Sequence, residues 1–178
     1  PFIHQVFVNK KANQTPLNLL RKKHTKKLKV LHVYIDGDGR PFYQATKIAA
    51  DPTPLKPLML ELMQMDTSPA IALGRPCYFG AEDSQCSPIW WTHYRYHKDI
   101  VTSMVAALEP FKKHYDGFVL LGFSGGGTLA MLMAESLNNT FAVITIAANA
   151  DTEAWTQHHR YSAMIGSVNP ATRPPLPA

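Results

Sequence analysis

Ser124 lies in the segment Gly-Phe-Ser-Gly-Gly at 122–126, which matches the pattern G-x-S-x-G. An apolar run predicted to be a buried strand over 117–121 precedes it, and an apolar helix predicted over 125–137 follows. A serine on such a tight strand-to-helix turn is lifted clear of the strand, next to free N–H groups at the start of a helix. The pattern predicts a nucleophilic serine. The competing interpretations are a plain packing turn and a phosphate-binding turn, although no lysine occupies the position that a Walker motif requires.

A second glycine-rich turn, Asp-Gly-Asp-Gly at 36–39, follows an apolar run predicted to be a strand over 28–35. Acyl transfer needs hydrogen-bond donors directed at the oxyanion, and backbone N–H groups supply them at low reorganisation cost. One donor usually follows the nucleophile, and the other comes from the loop after an earlier strand. We therefore predict the N–H groups of Gly125 and Asp38 as the oxyanion donors, with Gly39 as the next choice.

The same turn allows a different interpretation, a metal site built from Asp36 and Asp38. Two carboxylates without a third evident ligand make a poor site, and a plain turn is also consistent with the sequence. We therefore predict neither a metal nor a cofactor.

Strand and helix patterns alternate along the chain, which favours an α/β fold with a mostly parallel sheet and helices on both faces. Ligands of such sheets bind beyond the carboxyl ends of the strands, where both glycine-rich turns lie. The predicted strands cover 2–9, 28–35, 70–73, 117–121 and 141–147, and the predicted helices cover 55–65, 92–111, 125–137 and 151–158.

These motifs resemble those of the α/β-hydrolase superfamily, and more closely those of bacterial secreted or lipoprotein-type serine hydrolases. The resemblance extends over roughly 28–170, and we predict that residues 1–178 form a single domain of this fold that lacks its last strands. It implies hydrolysis of an ester, thioester or amide through an acyl-enzyme, with a small-molecule or lipid acyl substrate. The segments that carry it are YIDGDG at 34–39, DPTP at 51–54, PLML at 57–60, GRPCYFG at 74–80, CSP at 86–88, GFSGGG at 122–127 and AAN at 147–149.

The acid and the base of a serine triad are not evident in the sequence. In this fold they follow later strands, and no convincing strand follows 141–147. We expect the last strands to be missing, with the acid and base outside this chain, which alone would then be inactive. Asp151 and His158 are the internal candidates, with Asp151 as a helix N-cap being the simpler interpretation. A non-catalytic binding module on the same fold is the alternative function.

Cys77 and Cys86 are the two cysteines, nine positions apart in a loop-like stretch. The spacing favours one disulfide over two free buried thiols, and a disulfide indicates an oxidising compartment. We therefore expect a periplasmic, outer-membrane-associated or secreted protein.

The net charge of +5 is concentrated near the start of the chain. Residues 1–50 hold ten of the eighteen Lys and Arg residues, most of them in a predicted basic loop at 10–27. A solvated loop is favoured over an anionic partner, and we predict no nucleic-acid binding, because no aromatic residues alternate with the charges. No apolar run approaches a membrane span. The first residue is proline, which leaves room for attachment to a membrane through a removed N-terminal segment; a Pro-rich tail is predicted at 171–178.

Overall fold

A five-stranded sheet forms the centre of the computed structural model, which describes residues 2–13, 28–44, 46–81 and 83–176. The strand order is β1-β5-β2-β6-β7, and all neighbouring pairs are parallel except β1 with β5. The mostly parallel α/β fold predicted from the sequence is therefore confirmed. The strands of this sheet are β1 (Val6–Val8), β2 (Val30–Ile35), β5 (Ala70–Leu73), β6 (Gly117–Phe123) and β7 (Thr140–Ile146). A separate two-stranded hairpin consists of β3 (Phe42–Tyr43) and β4 (Lys47–Ile48).

Helices cover both faces of the sheet. The α-helices are α1 (Lys10–Asn13), α2 (Leu58–Met65), α3 (Lys98–Ala107), α4 (Gly125–Ala134) and α5 (Thr152–His159). Short 3-10 helices cover Pro88–Trp91, Glu109–Lys113 and Pro170–Thr172. Helix α2 packs on one face, whereas α4 packs on the other and contacts α3.

The central strand β2 explains why both faces are covered. Val33 and Ile35 point into the larger core beneath α3 and α4, and Tyr34 between them packs with Met59 of α2. Because successive side chains of a strand alternate between faces, a strand that is apolar on both must be buried on both. This burial fixes the end of β2, and hence the turn that follows it.

The helix predicted over 92–111 begins later and is shorter than expected, because α3 starts only at Lys98. His97 is its N-cap, and the ring Nδ1 accepts a hydrogen bond from the N–H of Asp99. The preceding residues form turns instead of helix, and they direct the side chains of Arg95 and Tyr96 into the interior.

The ends of the chain match the sequence predictions only in part. Lys10–Asn13, in the predicted basic loop at 10–27, forms a short helix, and 14–27 lie outside the described residues. In the predicted tail at 171–178, Arg173 forms an ion pair with Glu135, and 177–178 lie outside the described residues. No helix in the described part of the chain is long and apolar enough to cross a membrane.

Two further features bear on the candidate site. Cys77 and Cys86 form a disulfide with their Cα atoms 5.7 Å apart, as predicted, and it closes the loop that follows β5. Strand β7 lies at the edge of the sheet, and the apolar side chains of Phe141, Ile144 and Ile146 are exposed there.

Candidate active site

Ser124 lies on a sharp turn between β6 and α4. Its backbone has φ 50° and ψ −124°, a conformation that non-glycine residues rarely adopt and that costs of the order of 1–3 kcal/mol. Backbone hydrogen bonds hold it there: the Ser124 N–H donates to the Ile146 carbonyl at 2.8 Å, and the N–H of Gly127 donates to the Ser124 carbonyl at 2.9 Å. The half-buried serine is thus fixed at the carboxyl end of the sheet, at the N-terminus of α4.

The turn can be this tight only because glycines flank the serine. A Cβ on Gly122 would lie 2.3 Å from the carbonyl oxygen of Gly126, and one on Gly126 would lie 2.2 Å from the carbonyl oxygen of Ile35. These obstacles are backbone atoms that cannot rotate away. The glycines of the motif therefore let α4 pack directly against β6 and the end of β2.

The turn after β2 lies against the serine turn. A Cβ on Gly37 would be 3.3 Å from the Ser124 Cβ, so the two turns are in contact. Within the described residues, neither the N–H of Asp38 nor that of Gly125 donates a hydrogen bond to another residue. Gly39 has φ 63° and no room for a Cβ, which would lie 2.0 Å from the Pro52 carbonyl oxygen. The structure thus brings together the residues predicted as nucleophile and oxyanion donors, and their chemical roles stay predictions.

The carboxylate of Asp38 is buried in a polar cluster instead of facing a metal. It accepts hydrogen bonds from Arg75, from Arg95 Nη1 at 3.0 Å and from the Tyr96 hydroxyl at 2.7 Å. Burial alone would raise the pKa of this carboxyl, but the charges of Arg75 and Arg95 and the hydrogen bonds hold its pKa below the ordinary value. Asp38 is therefore a paired carboxylate whose oxygens are already in use.

Asp36 has a different role from that of Asp38, and the alternative of a metal site built from these two residues finds no support in their contacts. Its carboxylate accepts hydrogen bonds from the N–H groups of Met59 at 3.1 Å and Leu60 at 3.2 Å, in the first turn of α2. Burial raises the pKa of Asp36, and these hydrogen bonds partly offset that effect. No cluster of three potential metal ligands occurs in the described ranges.

Asp151 and His158 are not brought together. Asp151 is the N-cap of α5: its carboxylate accepts hydrogen bonds from the N–H groups of Glu153 and Ala154, both at 3.1 Å. His158 is exposed near the other end of this helix, about 10 Å along the axis at 1.5 Å per residue. Across the described ranges, no histidine is hydrogen-bonded to the Ser124 hydroxyl.

A different serine–histidine contact has a structural role. The Ser103 hydroxyl and His4 Nε2 lie 2.8 Å apart, and His4 Nδ1 is 2.9 Å from the Gly74 carbonyl oxygen. Ser103 also accepts a hydrogen bond from the N–H of Phe2 and is buried within α3. This arrangement ties the N-terminal segment to the fold, and both side chains also line a pocket between that segment and α3.

Sequence reasoning missed the partners of Asp38. Arg75 belongs to the GRPCYFG segment that carries the family resemblance, which was the one available signal. Arg95 and Tyr96 lie inside the helix predicted over 92–111, and nothing in that prediction distinguishes them from their neighbours. Tyr78, whose hydroxyl donates to the Asp38 carbonyl oxygen at 2.9 Å, was likewise not singled out.

No protein-family model matches the sequence, and no curated protein matches it. Among solved structures, the chain is similar to a lipase-esterase related protein from Clostridium acetobutylicum, with 17% identity and a TM-score of 0.49, covering 77% of this chain and 51% of that one. It is similar to proline iminopeptidase from Mycobacterium smegmatis, with 16% identity and a TM-score of 0.49, covering 86% and 42%. It is also similar to MenH from S. aureus, with 15% identity and a TM-score of 0.46, covering 88% and 47%. The chain thus spans about half the length of these proteins.

Proposed function

We propose that the complete protein is a serine hydrolase that cleaves an ester, thioester or amide through an acyl-enzyme, as the motif resemblance implies. The observation that carries the proposal is the backbone of Ser124, held at φ 50° between β6 and α4 with the turn of Gly37 against it. Strain of this kind persists only where the surroundings enforce it, and it is frequent at active sites.

In this mechanism, Ser124 Oγ attacks the carbonyl carbon of the substrate while a base takes the hydroxyl proton. The substrate oxygen becomes negatively charged and accepts hydrogen bonds from the N–H groups of Gly125 and Asp38. Expulsion of the leaving group, protonated by the same base, gives the acyl-enzyme, which water then hydrolyses. None of these steps needs a metal or an organic cofactor.

We assign the acid and the base to polypeptide that adds to the free edge of β7. Two observations support this assignment: no histidine among the described residues is bonded to the Ser124 hydroxyl, and β7 leaves Phe141, Ile144 and Ile146 exposed. An edge strand with exposed apolar side chains is a ready template for a further strand. On this view residues 1–178 alone are inactive.

The second candidate is a binding module that uses the same fold without catalysis. The missing contact between Ser124 and a base favours it. The two functions differ in one observable: a binding module retains its ligand unchanged, whereas a hydrolase releases products.

The proposed location is outside the cytoplasm, in the periplasm, at the outer membrane or in the medium. The disulfide between Cys77 and Cys86 supports it, because structural disulfides persist mainly in oxidising compartments. The proposed partner is a small-molecule or lipid acyl compound, and nucleic acid is not among the proposed partners.

Hydrolysis of short-chain p-nitrophenyl esters by the complete protein tests the proposal. We expect turnover to fall by about 10³-fold or more in Ser124→Ala, because nucleophilic catalysis has no substitute group here. Ser136→Ala is the matched control, since Ser136 is exposed just after α4, and it should retain full activity. The absence of hydrolysis in both wild type and Ser124→Ala would favour the binding module, and equal measurable rates would contradict the assignment of Ser124 as nucleophile.

A further inference from the structure

The side chain of Asp38 forms a direct bridge between the two turns of the candidate site. Its carboxylate lies so close to the Cα of Gly125 that a Cβ built there would be 2.0 Å from Asp38 Oδ1 and 2.5 Å from the Tyr96 hydroxyl. The two residues assigned as oxyanion donors are thus packed on each other. Whatever fixes the Asp38 carboxylate also fixes the spacing of the two donors.

Two arginines fix that carboxylate, and each is itself held. Arg75 lies two residues after the end of β5 and donates from Nη2 to the Arg95 carbonyl oxygen at 2.8 Å, as well as from Nη1 to Asp38. Arg95 donates from Nε to the Thr92 carbonyl oxygen at 2.7 Å and from Nη1 to Asp38. Both side chains are almost fully buried, at 3% and 11% exposure, so they have little freedom to leave these positions.

A chain of hydrogen bonds through Tyr96 and Asn149 also connects the Asp38 carboxylate to α4, the helix that follows Ser124. The Tyr96 hydroxyl donates to Asp38 Oδ2 at 2.7 Å and accepts a hydrogen bond from Asn149 Nδ2 at 3.2 Å. The Asn149 carbonyl oxygen accepts a hydrogen bond from the Thr128 hydroxyl at 3.0 Å, and Thr128 lies in the first turns of α4. The segments after β2, β5, β6 and β7 are therefore joined through one buried network.

This network carries a net positive charge. Arg75 and Arg95 contribute two charges and the Asp38 carboxylate removes one. The tyrosines stay neutral, because burial raises the pKa of Tyr78 to about 12 and that of Tyr96 well above its ordinary value. The atoms nearest to a Cβ built on Gly125 belong to the Asp38 carboxylate and the Tyr96 hydroxyl, so the arginines act on this turn by fixing that carboxylate.

We propose that Arg75 and Arg95 are positioning residues that act through the Asp38 carboxylate to hold the N–H groups of Asp38 and Gly125 in place for the oxyanion. This assignment rests on the proposed function, since it presupposes that Ser124 attacks a carbonyl group. Such a role affects the transition state more than the bound substrate, and this difference can be measured.

Steady-state kinetics of the complete protein with a p-nitrophenyl ester test the assignment. We expect Arg75→Gln and Arg95→Gln to lower kcat by about 100-fold with KM within about twofold, as for the displacement of a positioned catalytic group by about 1 Å. Arg173→Gln is the matched control, because Arg173 pairs with Glu135 on the surface, and it should leave kcat unchanged. Inhibition by a trifluoromethyl ketone, which forms an anionic adduct with a nucleophilic serine, should weaken by the same factor as kcat/KM.

The outcomes separate this assignment from the proposed function. If wild type shows no hydrolysis that depends on Ser124, the proposed function fails and this assignment falls with it. If wild type is active and folded Gln variants keep its kcat, or change only KM, the assignment alone is overturned. If a Gln variant does not fold by circular dichroism, Arg95→Lys decides: it keeps the charge but not the planar fork, and a kcat equal to that of wild type would overturn the positioning role.

Discussion

The candidate site depends first on single residues that have no room for substitution. Ser124 occupies its strained backbone conformation because Gly122 and Gly126 remove every side-chain atom that would separate β6 from α4. The G-x-S-x-G pattern could therefore be recognised from the sequence, since the constraint involves residues that are neighbours in the chain.

We predict that Gly122→Ala destabilises the protein by about 1–3 kcal/mol, as overpacking usually does, and abolishes esterase activity. The new Cβ would lie 2.3 Å from the Gly126 carbonyl oxygen, so the turn has to open. Urea unfolding followed by circular dichroism measures the change. Gly80→Ala is the control: nothing lies within 4 Å of its Cβ, and only its positive φ opposes alanine, at about 1 kcal/mol. An equal loss of unfolding free energy in Gly122→Ala and Gly80→Ala would contradict the inference that the turn around Gly122 has no room for a side chain.

The side-chain partners of Asp38 could not be predicted from the sequence. Asp38 was predicted for its backbone N–H, but its side-chain partners Arg75, Arg95 and Tyr96 lie 37, 57 and 58 positions away. No local pattern relates residues at such separations, because their segments come together only when the sheet has formed. The burial of two arginines could not be expected either, since charged side chains are usually exposed.

At the scale of elements, the parallel strands could be predicted and the segments between them could not. Strand β5 covers Ala70–Leu73 as predicted, and β2 differs from its prediction only at the start, because strands buried on both faces are continuously apolar. The start of α3 was placed too early because the residues from Thr92 onward have helical periodicity. The side chains of Arg95 and Tyr96 instead bind Asp38, and the helix begins only after the His97 cap.

The disulfide closes a loop that begins two residues after Arg75, so its closure should matter to the site. We predict that reduction of Cys77–Cys86 lowers the free energy of unfolding by about 2–4 kcal/mol, because the reduced unfolded chain is less constrained. Urea titrations with and without dithiothreitol measure this. The double variant Cys77→Ser/Cys86→Ser is the control and should not respond to reductant. A wild-type curve that reductant does not shift would show that the disulfide contributes nothing to stability.

For the whole molecule, the parallel sheet directs several turns to one end. The segments after β2, β5, β6 and β7 meet there in a single buried network, although they are distant in sequence. The buried residues that stabilise the fold at the carboxyl end of the sheet are therefore the same residues that position the candidate site. The edge strand β7 differs from this buried network, because its apolar side chains are exposed and leave room for a further strand.

The buried Asp38 carboxylate should make the whole molecule sensitive to acid. Its pKa is lower in the folded protein than the unfolded value of about 3.9, so its contribution to stability is present above that pH and is lost as the pH falls through the folded pKa. We predict that Asp38→Asn costs about 3–5 kcal/mol at pH 7 and flattens the decline in unfolding free energy below about pH 4.

Urea titrations between pH 3 and 7 measure this dependence. Asp99→Asn, which replaces an exposed carboxylate, is the matched control and should retain the wild-type profile. If Asp38→Asn follows the same curve as wild type below pH 4, the carboxylate is not a stabilising charge in the folded protein.

Mapping the site of covalent modification in the complete protein by a fluorophosphonate shows whether Ser124 is the nucleophile. The probe phosphonylates nucleophilic serines, and proteolysis followed by mass spectrometry locates the adduct. We predict one adduct, on Ser124, that disappears in Ser124→Ala and persists in Ser136→Ala. The absence of any adduct, or an adduct on another serine with Ser124 unmodified, would contradict it.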